Sequence, residues 1–160
     1  MDEFALARTL HVLGVVLWIG GVAMVTTVLL PTLSQLRPAS DELAFFDRFR
    51  RRFARQARYT TLLVGFSGFY MIYVLNAWHR FTEWHYWWMH AMVFIWLIFT
   101  IMLFVMEPRA RRAQQTAPAQ LNSEKKLTKL QRVHWILLIL SLITVAGAVA
   151  GSHGWLIFGA

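Results

Sequence analysis

The chain has 160 residues, 58% of them hydrophobic, no cysteine, and 16 Lys and Arg against 8 Asp and Glu, for a formal net charge of +8. This length fits one domain, and the lack of cysteine excludes a disulfide framework, a thiolate metal site and covalent haem attachment through Cys-x-x-Cys-His. The basic balance does not imply nucleic acid: every Lys and Arg lies outside four long uncharged stretches, where such cations orient helices and attract anionic lipid headgroups.

The first uncharged stretch, Leu10–Leu30, predicts a helix over about 4–30 that ends at Pro31, since proline cannot continue an intrahelical ladder. The chain begins Met1-Asp2-Glu3 with no basic leader, so this segment reads as a retained span. Residues 31–54 form a basic loop. Within it, Ser40-Asp41-Glu42-Leu43 signals a helix start, and Phe45, Phe46, Phe49 and Phe53 among arginines read as an amphipathic helix on the membrane surface, running into the second span. That span, about 55–78, carries Gly65 and Gly68, which permit close approach of a neighbouring helix or a flat ligand. A short connection leads to a third helix over about 84–106, stopped by Pro108. Residues 107–122 form the second basic loop, polar and mobile over Ala113–Ser123. The fourth helix covers about 123–151, and Trp155–Phe158 is a hydrophobic tail placed at the interface. No internal repeat is visible.

Each span is close to the ~20 residues that a hydrocarbon core of about 30 Å requires. Residues 31–58 contain Arg37, Arg48, Arg50, Arg51, Arg52, Arg55 and Arg58, and residues 107–132 contain Arg109, Arg111, Arg112, Lys125, Lys126, Lys129 and Arg132. Only Arg8 and Arg80 fall elsewhere. The positive-inside rule then predicts an all-α, integral membrane four-helix up-down bundle, one transmembrane domain over 1–160, with both termini outside and both basic loops in the cytoplasm of a bacterial inner membrane. Trp78, Trp84, Trp87, Trp88 and Trp155 form a heavy outer aromatic belt, read as anchoring or as a ring of aromatics around an outward-facing cofactor.

With no acidic or basic side chain inside the spans, polar chemistry at depth falls to histidine, a functional position by default in a membrane. His11 and His90 lie at matched depth, one to two turns inside the outer boundary of the first and third helices, which run parallel and can face each other across the core. Two imidazoles at one level on separate helices are what bis-histidine ligation of haem b requires. Gly14 and Gly21 share the face of His11 and suit the plane of a porphyrin; Arg8, one turn outward, suits a propionate; Trp18, two turns inward, suits a flanking ring. His153 and His134 are the alternative iron ligands. His79, His85, His153 and Met89 also gather toward the outer surface, where imidazole and thioether suit copper.

The run His11-Val-Leu-Gly14-Val-Val-Leu-Trp18-Ile-Gly20-Gly21 resembles the opening helix of the copper-resistance protein D (CopD/PcoD) family, and Arg51-Arg52-Phe53-Ala54-Arg55 before the glycine-bearing second span resembles that family's second helix. The His-x6-Trp-x-Gly-Gly pattern is shared with HemJ-type protoporphyrinogen oxidases, whose first-helix histidine is implicated in haem binding; the resemblance points to His11. The HemJ-like Trp-x-x-Lys of the third helix is replaced here by Trp87-Trp88-Met89-His90, with histidine in the lysine position. The leading expectation is a haem-b membrane cytochrome, an oxidoreductase component passing electrons near the outer face between a quinone or membrane partner and an acceptor. The alternatives are CopD-like copper transport, a HemJ-like oxidase, and a small accessory subunit of a respiratory complex. The bilayer and a redox or membrane-protein partner are expected, as a homo-oligomer or within a larger assembly.

Overall fold

The computed structural model describes residues 2–35, 40–116 and 124–155. Helix α1 (Asp2–Met24) passes through a π-helical segment, Val25–Leu29, into α2 (Leu30–Gln35). Helix α3 (Ser40–Val74) follows, then two 3₁₀ turns, Ala77–Thr82 and Trp84–Tyr86. Helix α4 (Trp87–Ile101) passes through a second π segment, Met102–Met106, into α5 (Glu107–Thr116), and α6 (Glu124–Ser152) is the last helix among the described residues. Among the described residues every element is helical. The predicted surface helix and second span form one helix from Ser40 onward. Residues 117–123 and 156–160, which include most of the predicted mobile stretch Ala113–Ser123 and of the tail, lie outside the described residues, whereas the first part of the predicted second loop is helical as α5.

Neighbouring long helices run antiparallel. A Cβ at Gly14 would lie 2.8 Å from Val64 and one at Gly21 2.7 Å from Phe53, so α1 descends as α3 rises. Trp87 and Trp88 lie against Gly147 and Gly151, pairing α4 with α6, and Trp96 covers Gly65 while its Nε1–H donates to the Thr61 carbonyl at 2.8 Å, pairing α3 with α4. The core draws on all four: Trp18, Ile19 and Val22 from α1, Val64 from α3, Ile95 and Phe99 from α4, Leu137 and Leu138 from α6. Trp18 meets Phe99 edge to face at 5.0 Å. Polar residues do not cover the outside. Val16, Leu17, Phe66, Phe94, Ile136 and Ile143 are all exposed, the arrangement of a bundle whose solvent is lipid.

Among the described residues three helices are long and apolar enough to cross a membrane: Glu3–Thr32, Trp84–Arg112 and Thr128–Ser152. Helix α3 falls short of that measure for a local reason. It ends at Val74, before Asn76 adopts a left-handed conformation (φ 49°), whereas the sequence predicted helix to Trp78. Its uncharged part, Tyr59–Val74, is therefore only about 24 Å long at 1.5 Å per residue.

Both prolines expected to end helices are instead carried within them. Pro31 and Pro108 each stand two residues after a five-residue π segment. There the Leu30 N–H donates to the Val25 carbonyl and the Glu107 N–H to the Met102 carbonyl, one residue further back than in an α-helix. The widened turn accommodates the ring, which in a regular helix would clash with the carbonyl four residues before it.

On that spacing the next donor after Glu107 is Pro108, which has no N–H to offer the Leu103 carbonyl. Arg58 supplies it from α3. Its Nε–H donates to the Leu103 oxygen at 3.1 Å, its guanidinium forms an ion pair with Glu107, and the same group lies 5.9 Å from the Phe104 ring centre. One side chain thus fills the gap that proline leaves in a neighbouring helix. Arg58→Met should destabilise the folded bundle by about 3 kcal/mol, since it unpairs both a carboxylate and a carbonyl, whereas Glu107→Gln should cost about 1–2 kcal/mol. Reversible unfolding of the two variants in mixed detergent micelles measures the difference; equal costs would remove the carbonyl from the account.

Candidate functional site

The histidines separate by what their rings touch. His134 and His153 place Nδ1 on the carbonyls of Leu130 and Val149, both in α6, at 2.9 and 2.8 Å. His79 lies 3.3 Å from the Asn76 carbonyl, and His85 pairs with Glu83 at 2.8 Å. His11 reaches across to another long helix. Its Nδ1 lies 3.0 Å from the Val64 carbonyl and 3.1 Å from the Ser67 hydroxyl oxygen, and Gly68 leaves room for the ring edge, since a Cβ there would be 3.1 Å from His11 Cε1.

These partners determine the tautomer. A carbonyl only accepts, so Nδ1 must carry the proton that goes to Val64. The Ser67 hydroxyl spends its own hydrogen on the Leu63 carbonyl at 2.6 Å and therefore also accepts from His11. In the neutral ring the lone pair is left on Nε2, which makes no hydrogen bond among the described residues. An imidazole whose Nδ1–H is held by a backbone carbonyl while Nε2 stays available is the form in which histidine binds a metal.

His90 sits elsewhere. It is exposed, its Nε2 lies 2.9 Å from the Phe81 carbonyl in the 3₁₀ turn, and its ring meets Phe81 edge to face at 5.4 Å. The Trp18–Phe99 contact puts α1 and α4 in a register where His90 is roughly level with Thr9, about 3 Å further out than His11. The depths agree within a turn, but the rings engage different neighbours and no hydrogen bond or ring contact joins them.

The residues expected to flank a porphyrin are placed differently from that expectation. Gly14 and Gly21 face α3, and Val64 and Phe53 take the space beside them, so these small residues serve helix contact. Trp18 is a core residue packed on Phe99, its Nε1–H buried without an acceptor among the described residues. Arg8 is exposed and has no partner among the described residues. The fit to haem thus rests on His11 and its supports. For copper, no three His, Asp or Glu side chains among the described residues gather to hold a metal ion.

Ser67 and the Val64 carbonyl were not picked out from the sequence. A serine one residue from Gly68 inside an apolar span was the available signal, because a polar group at that depth needs a partner on the next helix. Compared with known proteins, the chain matches no family model, no curated protein and no solved structure.

The tautomer is directly measurable. Solid-state NMR of the protein labelled with ¹⁵N-histidine should show His11 protonated at Nδ1, and Ser67→Ala should keep that state because the Val64 carbonyl remains. A signal from His11 protonated only at Nε2 would overturn the assignment.

Proposed function

We propose that this chain is a haem-b membrane cytochrome of four spans, in which His11 would hold the iron through Nε2. The observation that carries the reading is the pair of acceptors on His11 Nδ1, Val64 O at 3.0 Å and Ser67 Oγ at 3.1 Å. The resemblance of the His11–Gly21 run to the first helix of CopD and HemJ-type proteins supports the same residue. Haem, when bound, supplies one-electron transfer. The protein's part is to fix the imidazole plane and its tautomer, and to raise the basicity of Nε2 through the Nδ1–H bonds. His90 is the proposed second ligand on grounds of depth, with His153 and His134 as alternatives.

The proposed topology places both termini outside and the two arginine-rich regions inside, in a bacterial inner membrane. The charge count supports it, since 14 of the 16 Lys and Arg fall in those two regions. His11 then lies toward the outer face, and electrons pass to a redox partner there.

Two measurements test the reading. Dithionite-reduced minus oxidised spectra of the purified protein should show a low-spin b-type haem. His11→Ala should abolish it or convert it to high spin, while His79→Ala and His85→Ala leave it intact. A spectrum indifferent to His11→Ala removes the proposal; one indifferent only to His90→Ala moves the second ligand to another histidine. For topology, a reporter inserted within Thr116–Gln120 should be active in the cytoplasm, and periplasmic activity there would invert the bundle.

A further inference from the structure

A groove of about 440 Å³ runs along α3 where the helix leaves its apolar stretch, lined by Arg52, Arg55, Gln56, Tyr59 and Thr60. The spacing i, i+3, i+4, i+7 and i+8 puts all five on one face of the helix. Neither Arg52 nor Arg55 has a protein partner among the described residues, whereas Arg58, on another face, is held by Glu107 and Leu103. The Thr60 hydroxyl is turned back onto its own helix, on the Gln56 and Ala57 carbonyls, so the groove's free donors are the two guanidinium groups, the Gln56 amide and the Tyr59 hydroxyl.

The groove does not end at Tyr59. Tyr59, Phe66 and Tyr73 follow at seven-residue intervals, 69%, 74% and 72% exposed, and form an apolar stripe along the same side of α3. Cationic donors at one end and a bare aromatic stripe leading away from them match an amphiphile with an anionic head and an acyl tail. A soluble phosphate compound would use the head of this surface and leave the stripe bare.

We infer that this face of α3 is a binding site for an anionic phospholipid, its phosphate held by Arg52 and Arg55 with Tyr59 and Gln56, its acyl chain along Phe66 and Tyr73. Planar guanidinium groups bind phosphate oxygens through paired N–H donors, which gives a defined site where a diffuse surface field would give only attraction. The leaflet follows from the proposed topology and would be the cytoplasmic one, but binding itself depends on neither that topology nor haem.

The test uses the full chain in phosphatidylcholine nanodiscs, where both faces are open, with spin-labelled phosphatidylglycerol and phosphatidylcholine as probes. Phosphatidylglycerol should be preferred. Arg52→Gln with Arg55→Gln should weaken its association by roughly 30-fold, the equivalent of about 1 kcal/mol per cation. Tyr59→Phe, which preserves the ring, should weaken it by a smaller factor and guards against misfolding of the double variant. Arg109→Gln with Arg111→Gln, equal in charge change but elsewhere, should leave the preference in place. An equal loss in that control pair would overturn the site in favour of a general field, as would an unchanged double variant. Inorganic phosphate binding to the detergent-purified protein as tightly as the lipid does would also overturn it, as a soluble-anion site.

Discussion

The contact of Arg58 with Leu103 and Glu107 sets the geometry on which the rest of the bundle depends. Its origin is local: a proline inside a helix deprives one carbonyl of its donor, and a polar backbone group left unpaired is costly. Because the replacement comes from α3, the two helices are pinned at one height. That height brings Trp96 over Gly65 with its indole N–H on the Thr61 carbonyl. The same stretch of α3, between Thr61 and Gly68, presents the Val64 carbonyl and Ser67 to His11 on its other side. The ion pair near one end and the imidazole near the other thus belong to a single alignment of α3 against its neighbours.

The existence of the long helices was legible in the sequence, and so was the relative level of His11 and His90 along two of them; the bounds of the helices and their rotation were not. Uncharged runs bounded by arginine gave the long helices, and counting along them put His11 and His90 at nearly the same level. Which way each ring points depends on how a helix is turned about its axis, and that is read from an apolar stripe opposed by a polar one. Here the first and third helices are apolar all round. His11 therefore faces α3 rather than α4, and His90 faces the 3₁₀ turn, with no pattern in the chain to announce either. The Gly14–Gly21 face was read as room for a ligand when Val64 and Phe53 fill it, because small residues create close approach without saying what approaches.

The two prolines failed as stop signals for a related reason. A rule about proline assumes the four-residue ladder, and both helices change to a five-residue spacing just before it. The offset is the same in each, and it reaches further than the prolines. His11 and Trp88 both stand twenty residues before their proline, and each lays its ring against a glycine of the helix that follows, Gly68 and Gly151. The two halves of the chain share this framework with almost no shared residues, which is why no repeat was visible in the letters.

The shortness of α3 bears on the bilayer itself. On the proposed topology its lipid-facing side is bracketed by Tyr59 and Tyr73, residues suited to headgroup level and only about 21 Å apart. The opposite flank is formed by helices that stay apolar for longer, matching a hydrocarbon core of about 30 Å. A rigid bundle cannot satisfy both heights in a flat membrane. The lipid beside α3 must thin, or the whole bundle must lean toward that side, at a fraction of a kcal/mol per Å of mismatch. On that topology the bundle would be shorter on the α3 side than on the other, and it would favour thin or curved membrane.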